Sequence, residues 1–312
     1  MGKKRELILK RFLNENEAQS RDRRRLLREI TRGFPQVAKT KPTPPLLLVS
    51  YFVDYHFGLL DSSDAQILED LLQATARPFR LFLILDGPGG FGLAAEQIVN
   101  VCRTYGGGSF SVIVPKMAKS AATVICLGAD KLILGPTAEL GPIDPQIRLP
   151  DGTVTSATSY VRRYEQLLEK AETTKGNIEP FLMGLKVFDP LMVEDLEREI
   201  ELSKKVAQDA LFSGMWKGKK RTKELTERLK IFTDVAAKGS HGRAILYEEI
   251  RDLDINVQQI TPESDLWASL WELYNRTRAA LSKHCTKLIE TGDASFPCMP
   301  PREVYESATK GE

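Results

Sequence analysis

Cysteine is scarce in this 312-residue chain: only Cys102, Cys126, Cys285 and Cys298, with no Cys-x-x-Cys pair and no metal-ligand spacing. That excludes a disulfide-stapled scaffold and leaves no metal site to expect. It points to a reducing compartment, with Cys102 and Cys126 packing as small apolar residues. Histidine is limited to His56, His241 and His284. Long apolar runs are missing too. The longest, 46–60, contains Asp54 and His56, and 15 residues are too few to cross a bilayer. The first eleven residues are charged and no apolar segment follows them, so no signal peptide is expected. A soluble, cytoplasmic protein without a membrane span is the expectation. Charge of one sign is not in excess either: 44 Lys and Arg face 42 Asp and Glu, a net of +2. With 42% hydrophobic and 28% charged residues, the composition excludes a disordered or collagen-like chain. The length allows two domains or one large α/β unit with extensions.

The charge that is there is unevenly placed. Residues 1–33 hold 11 Lys and Arg against 5 Asp and Glu, whereas 81–149 hold only 10 charged residues in 69. The charge-poor stretch marks the expected core. The basic stretch is helix-prone over 4–32. It reads as a helical arm, 1–34, that packs on a neighbouring subunit or binds a partner protein. Nucleic-acid binding through Arg21, Arg23, Arg24, Arg25 and Arg28 lacks the interleaved aromatics that base stacking needs. A Pro-rich linker, 35–45, follows and cannot be helical.

Beyond the linker a rhythm sets in. Apolar runs at 46–52, 81–85, 110–114 and 131–134 read as buried strands. Segments 62–72, 92–104 and 118–129 read as helices between them. Continuous apolar strands alternating with helices predict parallel βαβ units covered on both faces. Past Pro150 the expectation is a loop at 151–158, then helices at 159–172, 192–212 and 221–230, a loop at 232–241, and helices at 243–253 and 265–284. A loose tail is expected from 292. The division this implies is a main α/β domain at 46–260 and a C-terminal helix and tail at 261–312.

Two features carry chemistry. Asp86-Gly87-Pro88-Gly89-Gly90-Phe91-Gly92 follows a strand and opens a helix. Gly87, Gly89 and Gly92 fit the spacing of a dinucleotide-binding turn. Against that stand Pro88 inside the turn and a next strand that ends in Pro115-Lys116 instead of an acidic residue. Backbone N–H groups of such a turn can also face a developing oxyanion. The second feature is Ser120, at the start of an otherwise apolar helix. A hydroxyl there can cap the helix or pack in a small-residue patch. It can also serve as a nucleophile, since the helix N-terminus favours negative charge and the N–H of Ala121 is free to point at an oxyanion.

Four blocks, in order, resemble the Clp/crotonase superfamily, and within it the serine dehydrogenase proteinase family, related to Clp protease and signal peptide peptidase A. They are Gly-Pro-Gly-Gly at 87–90, Val112–Pro115 followed by Lys119-Ser-Ala-Ala-Thr, Gly128-Ala-Asp-Lys with its strand, and Glu139-Leu-Gly-Pro-Ile-Asp-Pro-Gln146. The resemblance is strong over 46–150, weaker to about 260, and does not account for the arm or tail. It implies a Clp/crotonase-like parallel-sheet βαβ core, with a helical arm before it and a helical extension after it. It implies a serine peptidase that needs no cofactor, acts on a peptide or protein through an acyl-enzyme on Ser120, and forms a homo-oligomer. Gly90 and Ala121 align with the oxyanion donors, and Gly89 and Phe91 flank the substrate. The family order Ser, Asp, His is met by Ser120, Asp144 and His241. The histidine that Clp protease carries near the Gly-Pro-Ile-Asp-Pro block is missing, since Ile143 and Asp144 stand there. Ala122 replaces a frequent glycine and Lys119 an apolar residue, so Lys116 or Lys119 stays open as an alternative base. A Clp-fold scaffold without activity and a crotonase-like acyl-thioester enzyme are the rival readings.

Overall fold

The computed structural model describes residues 8–34, 44–149, 152–234 and 243–299. Most of the Pro-rich linker, His241 and its loop, and the tail from 300 lie outside them. The first described element is α1 (Ile8–Gly33). Then β1 (Leu46–Val53), α2 (Ser62–Ala74), β2 (Arg80–Asp86), α3 (Gly92–Tyr105), β3 (Phe110–Val114), β4 (Met117–Ala118), α4 (Ala121–Gly128), β5 (Lys131–Leu134) and β6 (Glu139–Leu140) build the βαβ core. A hairpin of β7 (Gln146–Arg148) and β8 (Val154–Ser156) leads to α5 (Ala157–Thr173), α6 (Glu179–Leu185) and α7 (Pro190–Ser213). Next come α8 (Lys223–Thr233), α9 (Tyr247–Ile250), β9 (Val257–Gln259), α10 (Asp265–Ala280), β10 (Lys287–Glu290) and β11 (Ser295–Cys298).

Seven strands form the main sheet in the order β11-β10-β1-β2-β3-β5-β9. From β1 to β9 every neighbour is parallel, as the apolar runs predict. Because side chains alternate across a strand, each run feeds two cores. Val49, Tyr51, Leu81, Leu83, Leu85, Val112 and Leu132 join one core with α2, α3, α4 and α7. Leu48, Phe52, Ile84, Ile113 and Ile133 join the other with α1 and α10. Helices on both faces explain why the runs are continuous rather than alternating. A third, small core of Ala157, Val161, Val193 and Leu196 holds α5 to α7.

The ends of the chain differ from expectation. The sequence places the basic helix on a neighbouring subunit, but its second half packs on this chain's own sheet. Leu26, Leu27 and Ile30 are buried there beside Leu270 and Leu273 of α10, a stripe at helical spacing. Arg23, one turn earlier, is buried too. Its Nε and Nη2 donate to both oxygens of Glu290 on β10, at 2.8 and 2.9 Å. The expected loose tail begins with β11, antiparallel to β10, and the expected helix over 265–284 stops at Ala280 to make room for β10. The loop expected over 151–158 holds β8, and the helix expected over 243–253 is reduced to the single turn α9. These short strands carry too few residues for a period to register.

Candidate functional site

The carboxyl ends of the parallel strands carry the turn and the serine, where α/β sheets bind ligands. The two approach through a short ladder. Gly87 N–H donates to Met117 O at 2.9 Å and Lys119 N–H to Gly87 O at 3.1 Å. On its other side β4 runs parallel to β6. The Ser120 platform is therefore a small second sheet between the glycine turn and the 139–146 block.

Ser120 is the N-cap of α4 at φ 49° and ψ −119°, and its side chain makes no capping bond. A non-glycine residue there is strained by about 1–3 kcal/mol. Such a sharp strand-to-helix turn lifts the hydroxyl out of the backbone. Ala121 is the first helical residue, so its N–H has no partner within the helix. Gly90 is oriented by Leu60. Leu60 N–H donates to Gly89 O at 2.9 Å and Phe91 N–H to Leu60 O at 3.0 Å. Both bonds of that bridge are made by the residues beside Gly90, so the N–H of Gly90 faces away from Leu60. A Cβ on Gly90 would stand 2.3 Å from Leu60 O. Gly89, at φ 107°, would place one 2.6 Å from Lys119 O and 2.8 Å from the Ser120 Cβ. Both positions admit only glycine, for close backbone approach.

Ser120, Ala121, Gly90, Phe91 and Asp144 line one cleft of about 1050 Å³. Its walls are largely apolar, from Leu59, Leu93, Ile147, Val154 and Leu202. Phe91 is 64% exposed at the rim. Gly89 does not reach the lining; it lies against Ser120 instead. Asp144 is buried and accepts a hydrogen bond from Thr158 at the start of α5. Lys119 also lines the cleft, but its Nζ is held 2.9 Å from Glu139 Oε1 and 3.2 Å from Leu140 O. Lys116 reaches away to Thr137, at 3.2 Å from its hydroxyl. His56 and His284 do not line the cleft. Among the described residues no group of three or more His, Cys, Asp or Glu could hold a metal.

Three supporting groups escaped the sequence reading. The Thr123 hydroxyl lies 2.8 Å from Ala118 O and 2.9 Å from Gly141 O, stitching the first turn of α4 to the segment that leads to Asp144. Lys287 on β10 is buried against Asp64 and the half-buried Asp61, whose carboxylates lie 2.8 and 2.6 Å from its Nζ. Burial opposes its charge, but the two carboxylates outweigh that and raise its pKa. Asp61 follows Leu60 and caps α2, so this cluster anchors the strand edge behind Gly90. Asp86, the last residue of β2, is the third. Burial pushes its carboxyl up to about 6, against Tyr55, Met117 N–H and Arg278, which favour the charged form. Thr123 stands inside a motif and was open to notice. Asp86 heads the glycine turn, but nothing local pointed to its partners, and Thr158 and Asp61 carried no local signal.

The chain matches the model of the ClpP-like SDH-type serine proteinases over residues 18–291. It belongs to that family. The match includes the second half of α1 and the strand β10, which the four sequence blocks had left unexplained. Two relatives, both uncharacterized proteins of Methanocaldococcus jannaschii, are similar to it. MJ0137 is 30% identical over 224 residues, 71% of this chain and 67% of that protein. MJ1495 is 29% identical over 199 residues, 62% of this chain and 65% of that protein, so this chain spans just under two thirds of MJ1495. Among solved structures, a point mutant of ClpP1 from Listeria monocytogenes aligns with 70% of this chain and 94% of its own length, at 14% identity and a TM-score of 0.36. No helix among the described residues of this SDH-type chain is long and apolar enough to cross a membrane.

Proposed function

We propose that this chain hydrolyses peptide bonds through an acyl-enzyme on Ser120. The observation that carries this is the Ser120 hydroxyl, raised on a strained helix cap in an apolar cleft. In this mechanism Ser120 Oγ attacks the peptide carbonyl, and the N–H groups of Gly90 and Ala121 hold the oxyanion, each worth about 10²–10³ in rate. A base takes the Ser120 proton and returns it to the leaving amine; water then releases the acyl group. His241, oriented by Asp144, is the proposed base. Supporting it, Ile143 N–H donates to Phe232 O and Leu140 pairs with Ile245. Phe232, before 241, is thus tied beside Asp144 through Ile143, and Ile245, after it, to Leu140 in the same block; four residues from 245 span up to about 14 Å. The ion pair of Lys119 with Glu139 speaks against Lys119 in this role.

A fluorophosphonate probe tests the nucleophile. Wild type is expected to label, Ser120→Ala not to. A folded wild type that stays unlabelled would favour a scaffold. Hydrolysis of an acyl-thioester with no peptide cleavage would favour the crotonase-like chemistry. His241→Ala tests the base separately, and normal labelling there would reassign it. Self-assembly in a reducing cytoplasm belongs to the same proposal, supported by exposed apolar residues on α6 and α7.

A further inference from the structure

We propose that Asp86 is a positioning residue for this reaction: its ionised carboxylate, clamped by Tyr55 and Arg278, holds the strand that carries Ser120 in register with the turn that carries Gly90. This rests on Ser120 being the nucleophile.

Asp86 is 0% exposed and does not line the cleft. It sits at the junction of both halves of the site. Through the chain it is joined to Gly87 and the turn. Through its side chain it is joined to the other half, since Met117 N–H donates to Oδ2 at 2.9 Å, three residues before Ser120. The backbone ladder between the halves has only two bonds, Gly87 N–H to Met117 O and Lys119 N–H to Gly87 O. The carboxylate adds a third, and charge makes it the stronger kind. A shift of about 1 Å between an oxyanion donor and a nucleophile is enough to cost about 10² in rate.

The carboxylate is itself held. Tyr55, just past β1, donates its hydroxyl to Oδ1 at 2.6 Å. Arg278 of α10 lies over the Tyr55 ring, 3.5 Å from its centroid. Arg278 Nη1 donates to Val53 O at 2.8 Å and stands 3.9 Å from Asp86 Oδ1. Its Nη2 stands 3.8 Å from Asp54 Oδ2. Tyr274 of α10 places its hydroxyl 3.4 Å from that of Tyr55. Asp54, Tyr55, Tyr274 and Arg278 are thus the titratable and charged groups that face Asp86. Lys116 adds only its backbone, since its amine turns to Thr137. Burial outweighs these partners, so Asp86 takes a proton as pH falls toward 6. A protonated Asp86 gives Arg278 a weaker partner and Met117 N–H a weaker acceptor.

The test is the pH profile of the second-order rate of fluorophosphonate acylation, with thermal melts at each pH to verify folding. Wild type should lose reactivity as Asp86 takes its proton near pH 6. Tyr55→Phe removes a neutral donor to the carboxylate. It should move the acid limb up by about one pH unit and leave the alkaline plateau within a few-fold. A histidine base would not feel that change. Arg278→Met should move the limb the same way, and Arg278→Lys should restore it in large part. Asp86→Asn offers one acceptor where two donors converge, and should lower the plateau about 10–100-fold. The proposal is overturned if Tyr55→Phe keeps the wild-type midpoint, or if Asp86→Asn reacts at the wild-type rate with the wild-type acid limb. A wild type that melts cooperatively and never reacts overturns the Ser120 reading instead, so the two failures stay apart. Should Asp86→Asn not fold, the Tyr55→Phe midpoint decides.

Discussion

Ser120 combines an unfavourable backbone with an uncapped hydroxyl, so its chemistry and its cost to stability are separable. Ser120→Gly relaxes the φ 49° conformation and Ser120→Ala does not. Both should abolish labelling, but the Gly variant should be more stable than the Ala variant by about 1 kcal/mol in denaturant unfolding. Equal stability would mean that the cap stores no strain. Gly90→Ala probes the other half. Its Cβ has no room beside Leu60 O at 2.3 Å, so the turn must shift. Labelling should fall at least about 10²-fold while the far-ultraviolet circular dichroism is retained. Ser120 and the turn were open to reading because each stands in a short motif at an element boundary. Asp86 headed that motif but was given no role of its own. Its partners Tyr55 and Arg278 lie 31 and about 190 residues away, with no pattern to link them.

Helix α1 shows how an average can mislead at the scale of an element. Its basic residues suggest a solvated arm, yet the stripe of Leu26, Leu27 and Ile30 with Arg23 faces the sheet. Leu27→Ala should destabilise the fold by about 2–5 kcal/mol, read from the denaturation midpoint at dilute protein. A helix that docked only on a neighbouring copy would show no such loss once dissociated. The parallel strands were legible because each is an apolar run long enough to register. The four residues of β10 were not. They fell between the expected helix, 265–284, and the expected tail from 292, and their place in the sheet shows only once Glu290 is seen paired with Arg23.

For the molecule as a whole, Asp86 sets stability and reactivity moving in opposite directions with pH. Its folded pKa of about 6 lies above the ordinary 3.8, so the fold binds this proton more tightly than the unfolded chain does. Its contribution to stability therefore grows as pH falls through 6. Relative to Asp86→Asn, the wild type should gain about 1 kcal/mol in unfolding free energy between pH 7 and pH 5. Over the same range its acylation rate should fall. A flat difference would mean that Asp86 does not titrate there. Assembly belongs to this scale too. Val187 is 80% and Leu191 71% exposed on the α6–α7 layer. Sedimentation should show a homo-oligomer that Val187→Asp with Leu191→Asp dissociates, since large exposed apolar residues in one place mark an interface.

Local order in the chain was enough for the alternation of strands and helices, the glycine turn and the serine at a helix start. Each depends on neighbours within a few residues, through side-chain period, turn chemistry and the free N–H groups of a first helical turn. The placement of α1 on its own sheet, the antiparallel strands β10 and β11, and the clusters around Asp86 and Lys287 came only with the folded chain. They join residues up to 269 positions apart. Burial makes such pairings strong, but it leaves no period or spacing in the sequence from which they could be read.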